Sequence, residues 1–228
     1  MTDPDAKQPL SKQRVIQAAV ELAVSEGIEG LTMRRLAEEL QVGAMSLYHY
    51  VPNKEELIDG MVDVVFAEIE LPSVGDGDWQ AALRRRALST RDALRRHRWA
   101  VGLMESRVTP GVASFRLHDA VLGCLREAGF SIEMAIHAYS VQDAYIYGFA
   151  QQEKSVPFDT PDDIPGVVEQ QVQHIEANPD LGDLAEQFPY IAEVVVGHVA
   201  TSGYDFRDEF EYGLDLILEA LERRRLDS

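Results

Sequence analysis

Apolar residues recur at helical spacing along most of the chain. Between residues 11 and 27, Val15, Ala19 and Leu22 share one face of a helix that Ser11 can cap and Gly27 ends. The same period predicts further helices over residues 53–71, 79–96, 98–106, 111–128, 131–152, 164–178, 181–201 and 205–225. Asn53 and Asp78 can cap the first two of these. No segment shows the alternation of a strand, and no internal repeat is found. The pattern therefore predicts an all-α protein.

Two short helices joined by a tight turn are predicted between residues 31 and 51. Thr32 can cap the first helix, which carries Leu36 on its apolar face. Gly43 can adopt backbone angles that are costly for other residues, so we expect the turn there and a second helix from Ala44. This arrangement is typical of a helix-turn-helix, whose second helix lies in the DNA major groove.

The second helix would present its first side chains to the edges of the bases. These side chains are Ala44, Met45, Ser46, Tyr48, His49 and Tyr50. Alternatively, the segment only completes a three-helix core, with Leu47 and Tyr48 both buried. Aromatic residues at positions 49 and 50, followed by the basic Lys54, favour a DNA contact.

The segment resembles the DNA-binding domain of the tetracycline repressor family. The matching residues are Thr32, Arg34, Leu36, Ala37, Val42, Leu47, Tyr48, His49, Tyr50 and Lys54. The resemblance implies DNA contacts at Thr32, Arg34, Ala44, Met45, Ser46, Tyr48, His49, Tyr50 and Lys54. Within this set it implies that Arg34 binds a guanine and Lys54 a phosphate.

The following helices are similar to the body of the same family's proteins, to about residue 153. The matching residues are Trp79, His97, Arg98, Ala128, Gly129, Phe130, Ser131, Ala135, Ala138, Ser140 and Gly148. This implies a helical domain that binds a small-molecule effector and forms a homodimer through residues 131–152 and 205–225. Where the tetracycline-binding members hold the drug and its magnesium ion, this chain has Glu70, Arg86, Met104 and Gln152. We therefore expect a different effector.

The chain is expected to have three parts. Residues 1–10 form a flexible arm, residues 11–56 the helix-turn-helix domain, and residues 57–228 the ligand-binding and dimerisation domain. The helix over residues 53–71 is long enough to bridge the two domains. Residues 72–78, rich in Pro, Gly, Ser and Asp, have the composition of a linker.

The net charge of −18 opposes binding to phosphates, but the excess of acid is not uniform. Residues 61–228 carry 29 acidic and 15 basic side chains, whereas residues 10–54 carry five of each. Most of the acid therefore lies away from the proposed DNA contact. We expect operator binding of modest strength that depends strongly on salt.

Other composition features exclude several classes of protein. No apolar run approaches the roughly 20 residues of a membrane span, and the first residues do not resemble a secretory signal, so no membrane partner and a cytoplasmic location are expected. A single cysteine, Cys124, excludes an internal disulfide. Because the histidines of the body are not paired at ligand spacing, neither a metal site nor another cofactor is expected.

An effector pocket is predicted between the helices at 54–71, 98–106, 111–128 and 131–152. Its candidate lining residues are Met61, Trp99, Leu103, Met104, Phe115, Tyr139, Asp143 and Tyr147. Tyr139 and Asp143 are four residues apart and share a helix face. An acid on so apolar a helix needs a partner, which could be a side chain, an interface or a ligand. If the ligand is the partner, it should carry a donor or a positive charge.

Two arginine-rich runs, residues 84–86 and 95–98, could suggest further contacts with nucleic acid. On amphipathic helices of an acidic body, we instead expect them on solvated faces with local ion pairs. The chain shows no nucleophile with a base and no phosphate-binding glycine loop, which disfavours a small helical enzyme or metal carrier. The sequence therefore predicts a non-enzymatic, ligand-responsive, dimeric repressor bound to a palindromic double-stranded DNA operator. A related activator or a ligand-independent regulator is the alternative.

Overall fold

A computed structural model describes residues 9–73, 77–107, 109–156, 161–177, 184–195 and 204–226. The α-helices in these ranges are α1 (Lys12–Gly30), α2 (Met33–Leu40), α3 (Ala44–Leu47), α4 (Lys54–Ala67), α5 (Trp79–Arg96), α6 (Val112–Glu127), α7 (Ile132–Ser155), α8 (Ile164–Glu176), α9 (Leu184–Gln187), α10 (Pro189–Val194) and α11 (Phe206–Leu226). Single turns of 3-10 helix occur at Arg98–Ala100 and Pro161–Asp163. These ranges contain no strand, and the all-α prediction is confirmed.

Four helices begin at the capping residues expected from the sequence. In each case the side-chain oxygen accepts a hydrogen bond from a free backbone amide of the first turn, three residues on. The caps are Ser11 for α1, Thr32 for α2, Asn53 for α4 and Asp78 for α5.

The turn between α2 and α3 differs from the prediction in its residue. Gly43 has an ordinary φ of −70°, whereas Gln41 takes the left-handed conformation with φ 55° and ψ 44°. The amide of Gln41 donates to the carbonyl of Glu38, and that of Val42 donates to the carbonyl of Ala37. These two bonds close α2, so a helix-ending motif fixes the turn rather than the glycine.

The helix predicted over residues 98–106 is wrong beyond its first turn. The backbone leaves the helical region at His97, with φ −114° and ψ 58°, and after Ala100 the chain runs through turns to Ser106. Gly102 adopts φ 85°, which a continuing helix cannot contain. The helix expected at 181–201 is also divided: Phe188, with φ −130° and ψ 62°, separates α9 from α10. Residues 181–183 and 196–201 lie outside the described ranges.

The described residues up to 151 and from 221 onwards form one compact unit, and those between 152 and 220 form another. In the first unit α1 and α4 pack closely, because a Cβ added to Gly60 would lie 2.5 Å from Ile16 Cδ1. Among the described residues of the second unit, the buried apolar ones are Ile164, Phe210, Leu214 and Leu218. The predicted domain boundary near residue 56 stays a prediction. None of the described helices has the length and apolar character of a membrane span.

Candidate DNA-binding and effector-binding sites

The short helix α3 presents polar and aromatic side chains above a buried apolar support. Leu47 and Val51 are fully buried, whereas Met45 is 77% and Tyr48 is 42% exposed. Two amides, those of Tyr50 and Val51, donate to the carbonyl of Leu47 and hold the turn after the helix. Leu47 therefore anchors this surface, and Tyr48 does not belong to the core, contrary to the alternative considered above.

The nine DNA-binding candidates are exposed or half-buried. Arg34 has 87% of its side chain exposed and forms an ion pair of 3.0 Å with Glu38 on the next turn. Lys54 lies exposed at the first position of α4. The others that are exposed are Thr32, Ala44, Met45, Tyr48 and His49, while Ser46 and Tyr50 are half-buried. All nine side chains are thus at least partly available for an external contact.

A second arginine of α2 fixes the helix-turn-helix instead of facing outward. Arg35 contacts Glu26 of α1 at 2.6 Å and Glu39 at 3.1 Å. The pair with Glu26 joins α1 to α2, which helps to hold the frame beneath α3. These two neighbouring arginines therefore differ in role, since only Arg34 keeps most of its side chain in solvent.

The candidate effector site is organised around a buried ion pair that the sequence analysis did not predict. Arg86 of α5 is completely buried, and its Nη2 lies 2.6 Å from Oδ1 of Asp143 on α7. Arg86 Nη1 also donates to Gln142 Oε1 at 3.4 Å. Tyr139 lies one turn before Asp143 on the same helix, close enough for its hydroxyl to interact with this carboxylate. The partner that Asp143 requires is therefore a side chain, and the expectation of a solvated Arg86 is wrong.

Protonation of the surrounding groups follows from their burial and from this pair. Burial, and then the charge of Asp143, raise the pKa values of both Tyr139 and Tyr147, which remain neutral phenols. Burial lowers the pKa of His118, although Asp143 opposes that shift. Burial and the charge of Asp143 also raise the pKa of the Glu105 carboxyl. The charges at the centre of the cluster are thus those of Arg86 and Asp143.

Aromatic rings form one side of the cluster. The ring of His118 on α6 makes edge-to-face contacts with Phe66 of α4 and Tyr139 of α7, at centroid distances of 6.0 and 5.5 Å. His118 and Tyr139 are half-buried, so this side reaches towards solvent. Rings in this arrangement can pack against a flat ligand.

Only three of the eight predicted lining residues belong to the cluster around Arg86 and Asp143. Tyr139, Asp143 and Tyr147 belong to the cluster, since the charge of Asp143 acts on both phenols. The buried candidates Met61, Trp99 and Met104 and the half-buried Leu103 lie in the same compact unit. Phe115 differs because it is 61% exposed. The assignment of all eight residues to a pocket stays a prediction.

Arg86, Gln142 and His118 were missed by the sequence analysis. The sequence did contain a signal for Arg86. Ala82, Leu83 and Thr90 lie one helical turn before or after Arg86 and are buried, as is the adjacent Ala87. An arginine within such a stripe must find an acid or a hydrogen-bond acceptor inside the protein. Gln142 and His118 carried no comparable signal.

Helix α4 connects the helix-turn-helix to α6 through a cap supplied from a different helix. Oδ1 of Asp63 accepts hydrogen bonds from the amides of Ala113 and Ser114, at 2.9 and 3.1 Å, in the first turn of α6. A Cβ at Gly111 would lie 2.1 Å from Asp63 Cγ, so the approach requires glycine. The first turn of α6 is thus hydrogen-bonded directly to α4.

The loop before α6 is attached to α4 by a second contact. Arg107 donates to Asp59 at 2.5 Å and to Glu55 at 2.8 Å, one turn apart on α4. Glu55 lies in the first turn of α4, directly after the proposed phosphate contact Lys54. The loop therefore holds the end of α4 that is nearest in sequence to the recognition helix.

No group of three or more His, Cys, Asp or Glu side chains suitable for a metal ion occurs in the described ranges. Glu70 instead pairs with Arg85 on the surface at 3.1 Å, and Arg86 is engaged with Asp143. Glu70 and Arg86, two of the four residues for which the resemblance implies a place in a tetracycline-magnesium site, therefore have other side-chain partners.

Comparison with protein families gives two matches along the chain. Residues 15–61 match a family described as bacterial regulatory proteins, tetR family, and residues 71–225 match one described as tetracyclin repressor-like, C-terminal domain. The HTH-type transcriptional repressor DrrR1 of Streptomyces coeruleorubidus is 34% identical over 226 residues, covering 95% of this chain and 78% of that protein. The tetracycline repressor protein class A from transposon 1721 of Escherichia coli is 31% identical, covering 95% and 93% of the two chains.

Solved structures show the same similarity. Apo ActR from Streptomyces coelicolor superposes with a TM-score of 0.74 at 26% identity, covering 96% of this chain and 98% of that one. ActR in complex with actinorhodin superposes with a TM-score of 0.71 at 25% identity, covering 96% and 99%. A structure of this type therefore exists with and without a small molecule bound.

Proposed function

Because the chain belongs to the tetracycline repressor family of ligand-responsive transcriptional repressors, we propose that it binds a palindromic operator as a homodimer and leaves it when an effector binds. It is a DNA-binding regulator and not an enzyme. The observation that carries the proposal is the exposed surface of α3, mounted on the fully buried Leu47 and Val51. Such a surface is stable without DNA and has side chains free to read bases.

We assign the DNA contacts to the nine exposed or half-buried residues of this surface. They are Thr32, Arg34, Ala44, Met45, Ser46, Tyr48, His49, Tyr50 and Lys54. Arg34 would read a guanine edge, exchanging its exposed pair with Glu38 for a bidentate base contact. Lys54 would neutralise a phosphate, and the amide groups at the start of α4 favour an anion at the same place.

A homodimer would explain apolar residues that remain exposed on two helices. Ile132 and Ile136 lie one turn apart on α7, and Tyr212 and Leu216 lie one turn apart on α11. Pairs of large apolar side chains in solvent mark surfaces that a partner covers. A two-fold dimer through both helices would place the recognition helices about one turn of DNA apart, roughly 34–36 Å.

Release of DNA would follow from movement of α4. An effector beside Arg86 and Asp143 contacts α5 and α7 and lies next to His118 of α6. Its binding would shift α6, and the Asp63 cap would carry that shift to α4. Two recognition helices in successive grooves tolerate little change in spacing. If the effector binds the shifted state a hundredfold more tightly, operator binding weakens by about 2.7 kcal/mol.

The effector is proposed to differ from tetracycline-magnesium. The buried Arg86 and Asp143 form a charged pair where that drug would be anchored, and the thioether of Met104 replaces a metal-binding histidine. Among similar structures, ActR is in complex with actinorhodin and a regulator of Acinetobacter baumannii is in complex with minocycline. The fold therefore accommodates multi-ring molecules of several kinds, which makes such a molecule a reasonable class here.

The test is a footprint of the purified protein on the DNA flanking its own gene, with and without candidate effectors. We expect a protected palindrome that an effector releases, and a dimer by light scattering at micromolar concentration. Arg34→Ala should lose the footprint while the dimer persists. A monomer, or a normal footprint for Arg34→Ala, would contradict the proposal.

A further inference from the structure

The polar cluster of Arg86, Gln142 and Asp143 leaves two buried hydrogen-bond donors unused. Arg86 is fully buried, Gln142 is 1% exposed and Asp143 is 9% exposed. The 2.6 Å contact between Arg86 Nη2 and Asp143 Oδ1 is an ion pair rather than a well-aligned hydrogen bond. Arg86 Nε and Gln142 Nε2 have no hydrogen-bond partner in the part of the chain that the structure describes.

Buried donors without partners are rare in folded proteins, because the loss of hydration is not compensated. The cluster contains two such donors, on the neighbouring side chains of Arg86 and Gln142, which indicates that an acceptor is missing between them. We propose that the effector of this protein is an aromatic molecule whose carbonyl or carboxylate oxygens accept hydrogen bonds from Arg86 Nε and Gln142 Nε2. This inference rests on the proposed function, since it concerns the effector of the same regulator.

The charge of the cluster favours a neutral or singly anionic ligand over a cation. Asp143 is already compensated by Arg86, so it offers no free negative charge. Glu105 is a further acid whose charge acts on Tyr139 and Tyr147, but it is exposed to solvent, which screens its field. The earlier expectation that Asp143 selects a donor or a positive charge is therefore replaced by a preference for acceptors.

The aromatic character follows from the walls of the cluster. The half-buried His118 and Tyr139 present ring edges and faces on the side that approaches solvent, and the buried Phe66 packs against His118. Tyr139 and Tyr147 keep their protons, so neither phenol adds a negative charge that would repel an oxygen-rich ligand. A flat ring between these walls would bring an attached oxygen towards the two unused donors.

Three naphthalene probes of matched ring size test the preference. They are 2-naphthoate, with an anionic acceptor, 2-acetylnaphthalene, with a neutral acceptor, and 2-naphthylmethylammonium, with a cationic donor. Calorimetry on the full-length protein should give a Kd for both acceptor probes at least tenfold lower than for the cation. In nitrogen-15 spectra, the acceptor probes should also shift the Nε–H signal of Arg86, which the variants below assign.

Two variants remove the donors with little other change. Arg86→Lys keeps a positive charge beside Asp143 but lacks Nε, and Gln142→Met keeps the length of the side chain but lacks the amide. Each should weaken 2-naphthoate about five- to tenfold. Arg85→Lys on α5 and Gln151→Met on α7 are the same substitutions at exposed positions, and they should leave the affinity unchanged. Circular dichroism identifies any variant that fails to fold. If Arg86→Lys fails to fold, the test rests on Gln142→Met alone.

Equal or tighter binding of the cation would overturn this inference, as would unchanged affinity in Gln142→Met or no binding of any probe. Operator binding is measured on the same samples without probes by fluorescence anisotropy. Loss of operator binding by the native protein would reject the proposed function itself. Normal operator binding without a preference for acceptor probes would reject only the assignment of the effector class.

Discussion

The proposed DNA-reading surface around α3 and the buried cluster around Arg86 and Asp143 use the same kinds of side chain in opposite environments. Around α3, arginine, tyrosine and histidine lie in water above Leu47 and Val51, which are fully buried. In the cluster, Arg86, Tyr147 and Asp143 are themselves nine-tenths or more buried. Substitutions of the surface residues should therefore leave the stability unchanged, whereas the cluster residues must compensate one another's charges and hydrogen-bonding groups.

The largest effect is expected when the buried ion pair loses one partner. Arg86→Met leaves Asp143 with 13% of its side chain exposed and no positive charge beside it, which should lower the free energy of unfolding by about 3 kcal/mol. The double variant Arg86→Met/Asp143→Leu removes both charges and should recover most of this loss. Urea denaturation measures both, and a double variant no more stable than the single one would show that the pair is not the cause.

The contrast also explains what the sequence could predict. Helix starts at Ser11, Thr32, Asn53 and Asp78 were predictable because capping depends on one side chain and amides three residues away. The helix-turn-helix was predictable for the same reason, since its pattern is local. The left-handed conformation fell on Gln41 instead of Gly43, because the closing bonds of α2 determined which residue turns.

The cluster could not be predicted in full because its contacts are long-range. Arg86 and Asp143 are 57 positions apart in sequence, and nothing local shows that α5 and α7 face each other at this point. The burial of Arg86 was detectable from the apolar stripe of α5, but its partner was not. The same holds for the Asp63 cap, which joins α4 to amides 50 and 51 residues later.

The DNA-reading surface should respond in the opposite way to the cluster. Arg34→Ala and Tyr48→Ala should each weaken operator binding about ten- to a hundredfold, because each removes a group that we propose to contact the base edges. Their free energies of unfolding should change by less than about 0.5 kcal/mol, since both side chains are exposed. Anisotropy with labelled operator and urea denaturation give the two numbers.

Leu47→Ala is the matched control for this surface. It lies beside Tyr48 but is fully buried, so it should lose at least about 2 kcal/mol of stability. A stable Leu47→Ala protein, or an unstable Tyr48→Ala protein, would contradict the assignment of Leu47 to the apolar support and of Tyr48 to the exposed surface.

The Asp63 cap lies on the connection between the two regions and should affect both to a moderate extent. Asp63→Ala removes the acceptor for the amides of Ala113 and Ser114 and should cost about 1 kcal/mol of stability. Asp63→Ala should also weaken the response to the effector, measured as the operator affinity without effector divided by the operator affinity with effector. The reason is that a shift of α6 would no longer move α4. Gly111→Ala should act similarly, since its Cβ would collide with Asp63. An unchanged ratio in both variants would exclude the cap from the coupling.

The smallest effect is expected at Glu68, whose environment is intermediate between the two regions. Its side chain is 34% exposed, and it contacts Arg96 at 2.9 Å and His97 at 2.9 Å at the end of α5. Burial alone raises the pKa of the Glu68 carboxyl, but the hydrogen bonds from Arg96 and His97 outweigh it, so the pKa lies below 4.5. A lowered folded pKa means that the stabilisation is fully present above 4.5 and is lost as the pH falls through the folded value.

Glu68→Gln should therefore cost less than about 1 kcal/mol at neutral pH, because water screens a partly exposed pair. The difference in stability between the native protein and Glu68→Gln should be constant above pH 4.5 and shrink below it. Glu70→Gln, which breaks the more exposed pair with Arg85, is the control and should cost still less. Urea denaturation across this pH range measures both. A difference for Glu68→Gln that grows as the pH falls would mean that its carboxyl is destabilised in the folded protein and that burial, not pairing, dominates there.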